Sequence, residues 1–392
     1  MRLGLIVNPV AGMGGSVGLK GTDGELLHEA LRRGARPVAP LKVTRFLNAL
    51  TGKGFKGVII SAGGSMGCDY LAGFEGVLRY SCLNLPSPGK TATSREDTVQ
   101  VVSEFVRQGV DLIAFVGGDG TARDVLEACR AEVPVLGIPS GVKMYSGVFA
   151  ASPEAAAEVV TGFSMGGVVL DYVEVADVDE ARLKEDVLSV RVYGYALTPL
   201  VEDYVIPSKD FAGGSEEDKW GIAEYFVEEL MRDDVLYFLG PGTTTKAVAD
   251  LLGLKKTLLG VDALFNRAVV GLDLSESDVL NLMRGYERAA IVVSIIGRQG
   301  YLFGRGNQQF SARVLREVGR QNIYVLSTAS KLSSVKHLLI DVGDPELEVA
   351  LSGYWRIITG YREESVKLVL PACCLDRYLR TPSGSLQSIP QS

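Results

Sequence analysis

The run Leu112-Ile113-Ala114-Phe115-Val116 passes directly into Gly117-Gly118-Asp119-Gly120-Thr121, and this junction restricts the fold more than any other segment. A short run of branched and aromatic residues has the length of a buried strand, and Ala122 to Arg130 has the spacing of a helix. A strand that enters a helix through three glycines lets a phosphate lie against the backbone. Glycine has no Cβ to keep it away, and the helix N-terminus offers unpaired N–H groups. Asp119 would repel that phosphate unless it worked through a metal ion or accepted a proton from an attacking hydroxyl, and phosphoryl transfer needs such a group. The pentad is neither the dinucleotide fingerprint of three spaced glycines nor the Walker loop ending in Gly-Lys-Ser/Thr.

The same rhythm fills the first part of the chain. Leu3 to Val7 reads as a strand opening into the loop Asn8 to Gly18, and Gly57 to Ser61 as another ending at Ala62-Gly63-Gly64-Ser65-Met66-Gly67. Ser94-Arg95-Glu96-Asp97 is a capping-box start for a helix to about Gln108, and Pro134 to Ile138 is a further strand. Strands that each end in a loop of small residues are expected where ligands collect at the carboxyl ends of a parallel sheet.

After a helix from Ser152 to Thr161 the texture changes. Val168 to Val178 and Val187 to Leu197 alternate like antiparallel strands, and Glu216 to Met231 reads as a helix. A strand-helix rhythm resumes with strand Val235 to Leu239, helix Thr243 to Leu252, strand Thr257 to Val261, helix Ser275 to Arg284 and strand Ala290 to Ile296. Strands Ile323 to Leu326, His337 to Asp341 and Arg356 to Tyr361 follow. The expected class is α/β. An N-terminal parallel-sheet domain of the Rossmann type spans 1–165, and a second, mixed, β-rich α/β domain spans 166–361. A C-terminal extension, 362–392, returns toward the first domain and has frayed last residues.

Composition excludes some partners. A net charge of −7 with no Lys/Arg block argues against a nucleic-acid surface, and no apolar run approaches the roughly 20 residues that span a bilayer. The expected location is cytoplasmic. Cys68, Cys82, Cys129, Cys373 and Cys374 have no zinc-type spacing, so free thiols in a reducing cell are expected, with no metal site assigned to protein ligands.

Further segments suit ligand chemistry. Asn8-Pro9, followed by Gly12, Gly14 and Gly15, puts a short amide at a strand end, where it can hold the glycine loop or a phosphate oxygen. Gly137 to Ala150 carries Lys143, a point charge on a flexible stem. Gly240-Pro241-Gly242-Thr243-Thr244-Thr245 opens a helix with three hydroxyls beside free N–H groups, a second anion site that would belong to the second domain. Arg298 to Gln309, with Arg305 and Asn307, mixes glycines, arginines and amides suited to planar polar ligands and phosphates. Gly63 to Gly67 is the weakest of these segments, since small residues after a strand often mark tight packing alone.

Asn8-Pro9 with its glycines, placed ahead of Gly-Gly-Asp-Gly-Thr, resembles the superfamily that joins NAD kinases with diacylglycerol and sphingosine kinases and one type of 6-phosphofructokinase. The segment Gly137 to Ala150 is similar to the archaeal and bacterial ATP-NAD kinase branch that includes AcoX-type proteins. The resemblance runs from about Leu3 to Tyr361. It implies ATP-dependent phosphoryl transfer to a hydroxyl, foremost the 2′-hydroxyl of NAD, with Mg2+ as cofactor; whether ATP or polyphosphate is the donor stays open. It also implies a homo-oligomer.

In that comparison Asp119 is the catalytic residue. Asn8, Gly117, Gly118, Gly120, Thr121, Lys143, Gly242, Thr243, Thr244 and Thr245 hold the nucleotide and its phosphates, and Arg305 and Asn307 face the substrate. The alternatives are a kinase of another hydroxyl compound, such as a polyol, an acetoin-related diol or a lipid, and a nucleotide-binding sensor without turnover. NAD kinases hold the acceptor ribose with an Asn-Glu or Asn-Asp pair. None stands here at the expected place, which leaves Val261-Asp262 and Glu202-Asp203 as substitutes.

Overall fold

A computed structural model describes residues 1–19, 25–85, 93–141, 144–178, 190–205, 216–296 and 300–379. Among them the strands form three sheets.

In the first sheet β1 (Arg2–Val7), β2 (Val58–Ser61), β3 (Arg79–Cys82), β4 (Leu112–Gly117) and β5 (Val135–Pro139) lie in the order β3-β2-β1-β4-β5. All neighbours are parallel, with Val7 opposite Val116 and Val116 opposite Ile138. Parallel strands covered on both faces must be apolar on both. Leu3, Leu5, Val7, Leu112, Ala114 and Val116 pack on one face against Phe46 and Leu47 of the helix Ala39–Gly52 and Ala156 and Val160 of the helix Pro153–Ser164. Ile6, Ile113 and Phe115 meet Val101 and Phe105 of the helix Arg95–Arg107 on the other. That helix begins with the expected capping box between Ser94 and Asp97.

A ribbon of β6 (Val169–Val178) and β7 (Val190–Leu200) is antiparallel, and its Val175 and Ala196 share the core of Phe115. Of the strand expected over Val187 to Leu197, residues 187–189 lie outside the described set. The helix expected over Glu216 to Met231 is α-helical over Glu216–Tyr225 and continues as a π-turn over Phe226–Leu230.

The third sheet contains β8 (Leu236–Leu239), β9 (Asp262–Phe265), β10 (Ala268–Gly271), β11 (Ala289–Ser294), β12 (Tyr301–Phe303), β13 (Ile323–Leu326), β14 (Leu338–Ile340), β15 (Gly353–Gly360) and β16 (Glu363–Pro371). Its order is β10-β9-β8-β11-β13-β15-β16-β14-β12, mixed in direction. The strand expected over Thr257 to Val261 is displaced to β9, because Thr257 is caught in a turn by the Asp262 carboxylate. β16 carries this sheet past residue 361 through seven paired positions with β15. Its polar Glu363-Glu364 start hides a strand whose far end, Val369-Leu370-Pro371, is buried.

The two halves share one apolar cluster. Tyr301, Leu339, Leu370 and Leu375 pack with Leu3, Val43 and Ala156. Ions cross the same contact: Lys42 Nζ lies 2.7 Å and Arg45 Nη1 3.2 Å from the Asp341 carboxylate, while Arg45 also pairs with Glu154 at 2.8 Å. One expectation is corrected here. Cys68 and Cys82 are joined as a disulfide between the short helix Cys68–Leu71 and β3, so these two thiols are not free. Cys129, Cys373 and Cys374 are free.

Candidate functional site

The first sheet reverses its strand order between β1 and β4, and both glycine-bearing loops leave the carboxyl ends of those two strands. This crevice is where open α/β sheets bind ligands. Asn8 Nδ2 donates to Thr121 Oγ1 at 3.0 Å, and Asn8 Oδ1 accepts from Val10 N at 3.2 Å, so one amide holds both loops. Gly117 ends β4, and a Cβ there would lie 2.5 Å from the Thr121 side chain. Gly118 caps the helix Asp119–Cys129, whose first turn contains Gly120 and Thr121.

Asp119 is 4% exposed and fully engaged. Its Oδ2 accepts from Tyr145 N at 2.7 Å, and its Oδ1 from Ser146 N at 3.0 Å and Ser146 Oγ at 2.7 Å. Burial pushes its pKa up to about 7. The nearby Asp177 adds to the rise, and the Ser146 and Tyr145 hydrogen bonds oppose it. A carboxyl that titrates near neutrality is suited to taking a proton at working pH.

Loop Asn8 to Gly18 packs on Ser140 of its own half and touches Gln308 and Glu276 of the second. Gly12 has φ +81°, and a Cβ there would lie 1.9 Å from Ser140 O; a Cβ on Gly15 would lie 2.5 Å from Gln308 Oε1. Glu276 N donates to Ser16 O at 2.8 Å. The segment Gly304 to Phe310 thus walls the crevice. Gln308 Nε2 reaches Gly141 O at 3.3 Å, Arg305 Nη2 donates to Ala150 O at 2.7 Å, and Phe310 packs against Gly240. Asn307 serves its own turn, accepting from Gly304 N at 3.0 Å and donating to Leu302 O at 2.9 Å.

The second reversal of strand order lies between β8 and β11, and the Gly242 loop stands at the end of β8. Gly242, with φ +119°, caps the helix Thr243–Leu251. Thr245 Oγ1 is spent on Gly240 O at 2.6 Å and Gly242 O at 2.9 Å, Thr244 is buried, and Thr243 is exposed. Of the three hydroxyls, Thr243 is therefore the one presented to solvent. Lys143, Arg298 and Gln299 lie outside the described residues.

Of the substitutes for the ribose-binding acid, Asp262 is closed off and Glu202 is exposed. Asp262 is 0% exposed and takes Thr257 N at 2.8 Å, Asp273 N at 2.7 Å and Lys256 Nζ at 3.4 Å. Burial lowers the Lys256 pKa to about 8 even beside that carboxylate. Asp203 pairs with Lys336 at 3.0 Å. In the segment Gly63 to Gly67, Gly63 and Gly67 are tightly packed, with a Cβ on them lying 2.7 Å from Leu83 O and 2.1 Å from Ser61 Oγ respectively, whereas Gly64 has open space around it. Sequence reasoning missed Tyr145, Ser146 and Ser140 as partners of the crevice, and Gln308 as a wall residue. The first three lie in the singled-out segment Gly137 to Ala150, but nothing in their spacing names the partner.

Among the described residues no group of three or more His, Cys, Asp or Glu side chains is placed to hold a metal. No described helix is long and apolar enough to cross a membrane.

Comparisons with known proteins place the chain in a family. The model of the ATP-NAD kinase N-terminal domain matches residues 4–168, and that of the ATP-NAD kinase C-terminal domain matches 232–369. A search of curated proteins finds no match. Among solved structures the chain is similar to a diacylglycerol kinase from Bacillus anthracis str. Sterne at 19% identity and TM-score 0.24, covering 45% of this chain and 46% of that one. It thus spans less than half the length of the diacylglycerol kinase structures it matches. A UDP-GlcNAc 2-epimerase from Neisseria meningitidis bound to UDP-GlcNAc is similar at 11% identity and TM-score 0.23, over 87% of this chain and 77% of that one. Scores this low carry no weight beside the family models. Two family regions in the same order, one over the Gly117–Thr121 crevice and one over the Gly242 loop, establish that this chain belongs to the ATP-NAD kinase family.

Proposed function

We propose that the chain transfers a phosphoryl group from ATP to a hydroxyl, foremost the 2′-hydroxyl of the adenosine ribose of NAD. The observation that carries this reading is the Gly117–Thr121 loop at the reversal point of a parallel sheet, tied to Asn8 and containing a carboxyl with a pKa of about 7. Gly117, Gly118, Gly120 and Thr121 would hold phosphate oxygens through backbone N–H and hydroxyl donors, with Lys143 neutralising charge. Asp119 would take the acceptor's proton as its oxygen bonds to phosphorus and the donor's bridging oxygen leaves on ADP. Magnesium would arrive with the nucleotide and neutralise charge on its phosphates. The Gly242 and Thr243 loop supplies donors from the second half. Polyphosphate in place of ATP, and a homo-oligomeric assembly, belong to the same reading.

A second reading is a nucleotide-binding protein without turnover. It is favoured by the three hydrogen bonds that occupy both oxygens of Asp119, and by the enclosure of Asp262. Purified chain incubated with ATP, Mg2+ and a panel of NAD, polyols and diols separates the readings. NADP formation supports the first, another phosphorylated product reassigns the acceptor, and nucleotide binding with no product supports the second.

A further inference from the structure

Arg305 stands in the contact between the two halves and is 3% exposed. Its Nη2 is used by Ala150 O at 2.7 Å and Ala151 O at 3.3 Å, and its Cζ lies 4.2 Å from the centre of the Tyr301 ring. Nε and Nη1 are buried and have no hydrogen-bond partner among the described residues. Between them they carry three N–H bonds.

A buried guanidinium with unmade donors is costly, because desolvation is not returned by protein contacts. No carboxylate among the described residues forms an ion pair with it. Asp341 is taken by Lys42 and Arg45, and Asp119 by Tyr145 and Ser146, though both lie close enough to act on Arg305 through space. Lys42, Arg45 and Arg305 stand among Asp341, Glu154, Asp119 and Glu348, the last pushed up to about 7 first by burial and then by Asp341. Arg305 thus brings a set of open donors on a buried cation that no carboxylate among the described residues pairs with directly.

We propose that the free N–H groups of Arg305 receive a phosphate oxygen of the nucleotide's polyphosphate chain, so that Arg305 selects phosphorylated ligands. This rests on the reading of the crevice as a nucleotide site. Both nitrogens are covered in the closed arrangement, so the ligand reaches them as the two halves part. Nη2 gives up its bonds to Ala150 O and Ala151 O as the halves part, which leaves the whole guanidinium to the incoming oxygens. Phosphate suits these donors better than a neutral hydroxyl ligand because hydrogen bonds between ionised partners are about twice as strong.

The test uses the full chain labelled with 15N-arginine. The Nε–H resonance absent from Arg305→Lys is assigned to Arg305, then followed during titration with ATP, tripolyphosphate and adenosine. ATP and tripolyphosphate are expected to shift it, and adenosine is not. In calorimetry Arg305→Gln is expected to weaken ATP and tripolyphosphate at least tenfold while adenosine binding holds. A resonance unmoved at saturating ATP, or equal affinity in Arg305→Gln, overturns the proposal. If Arg305→Gln fails to fold for want of its Ala150 contact, the titration of the unaltered chain decides. A shifting resonance with no phosphorylated product from any acceptor would sink the kinase reading and leave this one standing. Product formation with a silent resonance would do the reverse. Should ATP not bind at all, the tripolyphosphate arm alone judges Arg305.

Discussion

The Asn8 amide donates to the Thr121 hydroxyl at 3.0 Å, joining the ends of β1 and β4 across the point where the first sheet reverses its strand order. The residues are 113 positions apart. Their contact fixes one loop against the other, so the backbone donors of both converge on one crevice.

Removing either partner should therefore cost stability in a coupled way. Asn8→Ala and Thr121→Val are each expected to destabilise by about 1 kcal/mol in urea unfolding. The double variant should fall short of the sum by about 0.5–1 kcal/mol, since each single change already breaks the shared bond. Strict additivity would mean that the contact contributes nothing.

Asp119 predicts a pH dependence with a definite sign. Its ordinary value of 3.8 is raised to about 7 on folding, chiefly by burial, so the folded state holds the proton more tightly than the unfolded one. The stability this group supplies is complete below pH 3.8 and lost as pH rises to about 7, at about 1.4 kcal/mol per unit. The stability of the unaltered chain minus that of Asp119→Asn should decline over this range and level off above it. A flat difference curve would contradict the buried, raised carboxyl.

Turnover should follow the same group. If Asp119 takes the acceptor's proton, kcat/KM rises with pH through about 7, and Asp119→Asn lowers it by about 10²–10⁴-fold. Normal turnover in that variant would remove Asp119 from the chemistry.

Two glycines with the same backbone sign should respond differently to alanine. Gly12 at φ +81° would place a Cβ 1.9 Å from Ser140 O, whereas Gly34 at φ +80° has open space around it. Gly34→Ala carries only the left-handed penalty of about 1–2 kcal/mol. Gly12→Ala adds a backbone clash and should lose about 3 kcal/mol or more, read as a lower midpoint in chemical unfolding.

Asp341 balances two cations at the contact between the halves. Burial alone would raise its pKa, and Lys42 and Arg45 overcome that and hold it well below the usual carboxylate range. Its stabilising effect is present above the ordinary 3.8 and fades as pH falls through the lowered value. Asp341→Asn leaves Lys42 buried without its counter-ion and should cost about 3–5 kcal/mol at neutral pH, with a smaller loss in acid. An equal loss at both pH values would assign the effect to packing.

The local pattern made much of the first half legible. The apolar runs at Leu3 to Val7 and Leu112 to Val116 are strands because they are buried on both faces, and Ser94 and Asp97 cap the helix they were expected to cap. β16 was not legible, since Glu363 and Glu364 pair with β15 through backbone groups that any side chain permits. The pairing of Cys68 with Cys82 was hidden as well, because spacing does not reveal which strand end meets which turn.

What the sequence determined by itself was the glycine loop, its carboxylate and the strand that delivers it, all set by steric freedom and hydrophobic period over a few residues. Only the tertiary structure decided what these groups face. It set Asn8 on Thr121, closed Asp119 onto Tyr145 and Ser146, enclosed Asp262, and left two nitrogens of Arg305 without partners at the contact of the two halves. Those outcomes depend on contacts between separate elements, 26 positions apart for Asp119 and Tyr145 and 113 for Asn8 and Thr121, and on burial, and no local pattern of side chains encodes the partner or the desolvation it brings.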